Sequence, residues 1–578
     1  MTWAVFFFLI ASLFGLLMRL FFISDVPEFL TYKNILHAHS HTALLGWGFL
    51  LVSGILTFTF ITDPSKLTRY KVLLILLVLS TFGMAIAFPV EGYGLFSIVF
   101  STIHLLLSYV FTYFFFQDLK DRKPTLAIRL IKFSLIWLLV SSLGLWAIAP
   151  VGVILGKLHP LYFMSVQWFL HFQLNGWFVY ALLGLWVQYL DEKGATLSIP
   201  SWTIPVLHIS LLLTYALSVA WSSPIHGLFA LNAIGVLLQA LAYWFFIKGM
   251  LTLLSSSYRF PSSWADKLLW IGIISLMVKA LIQSALIIPD VATIAYTIRN
   301  YVIGFVHLVM LGAITFGLGA IAIKKQWLEK SSLSKIGWSI VSIAFISSEA
   351  LILLQGTFFW AKLGFIPAYH QLIFWSSALF PIGLIILLIA QLSASNTYEY
   401  HKPTPINQHQ TKNKHAMKST MLLSLGVALL LMISCGGGGE NTGTYTPPSA
   451  KKEKAGDPRG VGEVRNVDLS PEIDMVMAGK GQAILDMKCT ACHQYDGKRI
   501  VGPGFENITN RRRPEWIMNM ITNVDVMLDE DPIAQQLLEE CLTRMPNQNI
   551  SIDESRQILE YFRKNDRERT GGSDAAAN

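Results

Sequence analysis

Cys489 and Cys492, three positions apart and followed at once by His493, put two thiols and an imidazole within five residues. Thiols at that spacing reach the two vinyl groups of one porphyrin, and the adjoining imidazole ligates its iron from the proximal face; C-x-x-C-H is the attachment pattern of a c-type haem. A zinc knuckle or a dithiol redox pair would use the same cysteines. Zinc, however, needs a second Cys or His pair, and dithiol redox motifs lack the trailing histidine. One covalent haem is the expectation.

A distal ligand should come from a separate segment further on. Met545, in Arg544-Met545-Pro546-Asn547, lies 52 residues past His493, and a thioether there raises the reduction potential relative to bis-histidine haem. Met518, Met520 and Met527 compete, but they fall in a helix-like run or an acidic stretch where packing is the commoner use of methionine. Around these residues the sequence predicts a helix over 472–487, a loop at Gly502-Pro503-Gly504, and a last helix over 553–564 opened by Ser551. Together they resemble class I cytochrome c over about 100 residues, 471–569, with a disordered tail at 570–578. The resemblance implies a small all-α domain with His493 and Met545 on the haem iron. Cys541 reads as a buried thiol.

The rest of the chain is of another kind. It is 53% hydrophobic and only 14% charged over 578 residues, against about a quarter charged in soluble globules. Apolar runs of membrane-spanning length fall at 3–23, 36–61, 71–90, 97–117, 130–154, 161–189, 203–222, 226–250, 267–289, 299–323, 336–356 and 370–393. The fold class is therefore all-α: a twelve-helix polytopic bundle (residues 1–395) and a small cytochrome. Lys and Arg number 19 in the even connections and 4 in the odd ones, which puts the N-terminus and even loops in the cytoplasm of a bacterial inner membrane.

Between the two parts lie a basic cytoplasmic linker (396–418), a short apolar segment (419–435) and a Gly/Pro/Lys-rich tether (436–470). The apolar segment reads equally as a thirteenth span or as a lipoprotein signal whose Cys435 is lipidated. In either reading the cytochrome lies outside, in the periplasm, on a coil reaching roughly 30 Å.

Ten histidines sit in or at the ends of the spans: His37, His39, His41, His104, His159, His171, His208, His226, His307 and His370. In this topology all but His208 are in the outer half of the bilayer. Ionisable groups there are costly and functional when they face a cavity. His41, His171 and His307 lie deepest, each near glycine and aromatics that admit a flat macrocycle, and neutral imidazole is a common ligand of haem iron and copper. His37 shares a helix face with His41 while His39 points elsewhere. His159, His226 and His370 read as interfacial.

Twelve spans with histidines on the second, sixth and tenth resemble subunit I of heme-copper oxidases and nitric oxide reductases. The resemblance implies that His41 (or His37) and His307 hold a low-spin b-type haem and that His171 is a ligand of the active-site metal. The seventh span lacks the family's histidine pair and the tenth has one histidine in place of two, so copper and a complete oxygen-reducing centre are disfavoured. Lys279 and Glu349, the other intramembrane charges, form a pair or belong to a proton or quinol path.

These features point to a membrane-bound electron-transfer protein of an oxygen or nitrogen-oxide respiratory chain, more than to a complete oxidase. Its expected partners are a periplasmic reductase or another cytochrome, with quinol a further candidate. Two alternatives stay open: a terminal reductase of oxygen or nitric oxide with an atypical active site, and a non-turnover haem or nitric oxide sensor. Residues 450–578 carry 18 basic and 22 acidic groups, a mixture that steers protein partners and offers nothing to nucleic acid.

Overall fold

The computed structural model describes residues 1–400, 456–570 and 574, apart from 25, 28, 157–158, 221–225, 256–262, 362, 364, 491, 500–501, 542–544, 546 and 549. Cys435, the short apolar segment and most of the tether lie outside the described residues. Among those described there is no strand.

Eleven helices are long and apolar enough to cross a membrane: α1 (Thr2–Leu20), α2 (Tyr32–Phe60), α3 (Pro64–Glu91), α4 (Leu95–Asp118), α5 (Leu126–Ile154), α7 (Thr203–Ala220), α8 (His226–Ser255), α9 (Trp264–Ala285), α10 (Arg299–Lys324), α11 (Ser332–Trp360) and α12 (Tyr369–Tyr400). The remaining expected span is helical throughout as Pro160–His171, Phe172–Phe178 and Val179–Glu192, together α6. It carries Gln173, Asn175 and Gln188, it is not among the eleven apolar enough to cross, and residues 171–187 are buried by its neighbours.

Helix starts follow local chemistry. Asp63 caps α3 by accepting from the Ser65 N–H at 2.9 Å, with Pro64 in the first turn; this moves the start seven residues ahead of the apolar run. Thr125 and Ser331 cap α5 and α11, satisfying donors that no intrahelical carbonyl reaches. At one end of the bundle ion pairs join neighbours: Asp118 meets Lys66 at 3.0 Å and also Arg69, Asp266 meets Lys324, and Glu192 meets Lys325. Gly272 of α9 lies so close to α10 that a Cβ there would stand 2.6 Å from Gly317 Cα. Such small-residue contacts replace the hydrophobic drive that lipid removes.

Three spans contain a π-helical stretch: Thr42–Phe49 in α2, Phe172–Phe178 in α6 and Leu308–Phe316 in α10. They meet around Gly48, where a Cβ would come 2.7 Å from Met310 and 2.9 Å from Phe178. The Trp47 indole N–H donates to Thr315 Oγ1 at 2.8 Å, and the Thr315 hydroxyl donates to the Met310 carbonyl at 2.8 Å.

The second body is a small helical domain. α13 (Met475–Lys488) is capped by Asp474 and crosses α17 (Ile552–Thr570) at Gly481, whose Cβ would lie 2.0 Å from the Gln557 carbonyl oxygen. Between them run α14 (Pro514–Thr522), α15 (Val524–Glu530) and α16 (Pro532–Cys541). Trp516, Met518, Met527 and Phe562 fill the core.

Candidate functional site

The cysteines follow directly on α13: Cys489 is its C-cap, and the His493 N–H returns to the Cys489 carbonyl at 3.0 Å, holding the five-residue motif in one tight turn. His493 Nδ1 donates to the Pro503 carbonyl at 2.8 Å. That bond fixes the tautomer and leaves Nε2 as the nitrogen a haem iron would take. Phe505 stacks on the imidazole at 4.7 Å and 13°. Gly502 makes room for it, since a Cβ there would stand 2.2 Å from His493 Cε1. Burial lowers the His493 pKa, favouring the neutral imidazole that iron binds.

Burial also pushes the Cys489 thiol up to about 12, and Cys489, Cys492 and Cys541 are all free. Dithiol redox motifs depress a thiol pKa, so this environment suits thioether attachment instead. Of the four candidate methionines, Met545 stands on the wall of the cavity beside Cys492. Met518 and Met527 are in the core, and the Met527 sulfur takes the Val461 N–H at 3.0 Å. Cys541 is half-buried rather than buried, and its sulfur accepts from Arg499 at 2.9 Å.

That cavity, about 1830 Å³, continues into the helix bundle, where His39, His171, His307, Arg19 and Arg299 line it. The two bodies also touch directly: Gln494 Nε2 donates to the Phe21 carbonyl at the end of α1, at 3.4 Å.

On α2 it is His39, and neither His37 nor His41, that faces the cavity. His39 Nδ1 bonds the Ala11 carbonyl of α1 at 2.8 Å, and Gly15 leaves space for the ring, its Cβ position being 3.1 Å from His39 Cε1. Among the described residues the opposite nitrogen has no hydrogen-bond partner. His307 is held likewise, Nδ1 against Glu349 Oε1 at 3.2 Å, with no partner for Nε2 among the described residues, and the two imidazoles are close enough to interact electrostatically. His41 turns the other way, packing on Phe88 at 4.2 Å with Nδ1 on the His37 carbonyl at 3.0 Å. His37 packs on Tyr93.

His171 lines the cavity but is chemically closed. One ring nitrogen meets the Leu211 carbonyl at 2.9 Å and the other the Ser218 hydroxyl at 3.2 Å. Among the described residues no three His, Cys, Asp or Glu side chains converge as metal ligands. The remaining histidines have structural uses: His159 caps α6, His370 stacks on Phe22, His208 lies against Tyr180 and Trp137, and His104 is buried on Phe49. Lys279 and Glu349 do not pair; Lys279 Nζ meets Tyr243 Oη at 3.5 Å while Glu349 serves His307.

His39 and the role of Glu349 were missed by spacing alone. The one regularity in sequence points elsewhere: His41, His171 and His307 each stand five residues before a glycine, Gly46, Gly176 and Gly312, and each directly precedes a π-helical stretch, which marks His41 rather than His39 on α2. π-bulges concentrate at functional sites.

Residues 478–566 match the family model described as cytochrome c. Among solved structures, the chain is similar to cytochrome c from Rhodothermus marinus, 36% identical, the alignment covering 19% of this chain and 92% of that one with a TM-score of 0.18. An engineered form of that protein, Rma TDE, is 35% identical with coverages of 19% and 97% and a TM-score of 0.18. No curated protein matches the chain.

Proposed function

Because residues 478–566 belong to the cytochrome c family, we propose that this chain is a membrane-bound electron-transfer protein, with a c-type haem on its tethered domain and a b-type haem in the outer half of its helix bundle. Cys489 and Cys492 form the thioethers, and His493 and Met545 are the axial ligands. His39 and His307 hold the second haem. The carrying observation is that both have Nδ1 tied to the protein and Nε2 unbonded at one cavity. Arg19 and Arg299 line the same cavity without a carboxylate partner among the described residues, as the propionates of a haem require.

When bound, a Met/His haem supplies reversible one-electron transfer at a potential above that of bis-histidine haem. The protein's part is orientation: Pro503 and Phe505 fix the His493 ring, while Ala11 and Glu349 fix His39 and His307. The cytochrome touches the bundle at the end bearing the odd, charge-poor connections, which favours a periplasmic position in a bacterial inner membrane. A respiratory chain with a periplasmic reductase or cytochrome as acceptor fits this layout, and quinol fits as donor.

Electron relay is favoured over a terminal reductase by the closed state of His171, which leaves a second metal without that ligand. Pyridine haemochrome and metal analysis of the purified chain should give one haem c and one haem b. His39→Ala and His307→Ala should each abolish haem b while sparing haem c, and His41→Ala should retain both. Haem b surviving in H39A but lost in H41A would reverse the assignment, and absence of haem b from the wild-type chain would end it.

A further inference from the structure

We infer that the groove between α4 and α5, at the end of the bundle away from the cytochrome, binds one diacyl anionic phospholipid. The groove has a volume of about 550 Å³ and opens to the lipid-facing surface. Its mouth carries Lys120, just beyond the end of α4, and Lys132, in the second turn of α5; Gln117 and Tyr113 add polar atoms below them. Deeper in, Leu139 and Phe116 offer an apolar wall. Of the lining residues, Tyr109 is tied to α5, its Oη accepting from Trp146 Nε1 at 2.8 Å and donating to Ser142 Oγ at 2.6 Å. At 1.5 Å per residue, the stretch from Lys132 to Ser142 spans roughly 15 Å, a large part of one leaflet's hydrocarbon depth.

The charge is uncompensated. Residues 118–132 hold five basic groups, Lys120, Arg122, Lys123, Arg129 and Lys132, against two acidic ones, Asp118 and Asp121. Asp118 is engaged by Lys66 and Arg69 on the far side of α4. Neither Lys120 nor Lys132 meets a carboxylate among the described residues. Lys132 is half-buried a turn and a half inside its helix, where an ammonium needs an anion or must snorkel out. Basic pockets between spans suit anionic headgroups, and this one joins a two-lysine mouth to an acyl-sized groove. The inference concerns a face remote from the haem sites and does not depend on them.

The test uses the full-length chain, delipidated in detergent and titrated with dioleoyl phosphatidylglycerol or dioleoyl phosphatidylcholine, with retained lipid counted by native mass spectrometry. Wild-type protein should hold one phosphatidylglycerol, and the K120Q/K132Q variant should bind it about thirtyfold more weakly, at roughly one lysine's surface attraction per substitution. Phosphatidylcholine binding should be equal in both. Covalent haem c content monitors folding, and K132R should retain the lipid. Equal retention of phosphatidylglycerol by wild type and double variant would show that the lysines only snorkel, overturning the inference. Displacement by glycerol 3-phosphate at the same concentration would also overturn it, in favour of a free-anion site.

Discussion

Met545 and Met527 lie 18 residues apart and divide two uses of one side chain. Met545 reaches the cavity beside Cys492, whereas Met527 is buried with its sulfur on the Val461 N–H. Met545→His should therefore replace a thioether by imidazole and lower the haem c midpoint on the order of 100 mV, with little change in domain stability; redox titration checks this. Met527→Ala should cost about 3 kcal/mol of stability in denaturant melts and leave the potential nearly unchanged. The haem-attachment motif was legible in the sequence because its three groups lie within five residues and the turn joining them is local. The histidine that faces the bundle's cavity was less so. Helix periodicity grouped His37 with His41, but which face of α2 meets a cavity depends on α1, where Ala11 offers its carbonyl and Gly15 its missing side chain to His39. Nothing near His39 in sequence records that contact.

At the scale of elements, the π-helical stretches explain why spans 2, 6 and 10 carry the candidate histidines. Each begins at the residue after a histidine, His41, His171 or His307, and changes the helical phase there. In α10 the Thr315 hydroxyl serves the Met310 carbonyl while accepting from Trp47 of α2, so one side chain completes a backbone bond and joins two spans. Thr315→Val should leave the Trp47 N–H and the Met310 carbonyl unpaired and destabilise the bundle by about 1 kcal/mol; Thr315→Ser should preserve it. The readout is the temperature at which the purified chain unfolds in detergent, lower in T315V and near wild type in T315S. Apolar run length gave eleven spans directly. Over the expected sixth, Gln173 and Asn175 dilute the hydropathy; the chain there is helical, but it is not among the eleven helices apolar enough to cross a membrane. Helix starts such as Pro64, set by a cap outside the apolar run, were not visible to that measure.

At the scale of the molecule, the tethered domain sits with its haem-binding side over the bundle's outer cavity, and Gln494 anchors it to the end of α1. Residues 456–470 pack with the cytochrome, Val464 in its core and Val461 on Met527, so under the proposal only 436–455 is left to act as a tether, and a coil of that length would hold the two redox bodies at an effective concentration in the millimolar range. Electron exchange between them should then be intramolecular. In flash or stopped-flow reduction through the cytochrome, the rate at which the proposed membrane haem follows should not change on tenfold dilution of the chain. Gln494→Ala should slow it only a few-fold, since the tether returns the domain to its seat after each departure. Gln494→Trp, which adds bulk against the Phe21 carbonyl, should slow it more while leaving the midpoint potentials of both haems in place. A rate proportional to chain concentration would mean that each cytochrome serves a neighbouring bundle, and the contact at Phe21 would then be a resting position rather than the working one.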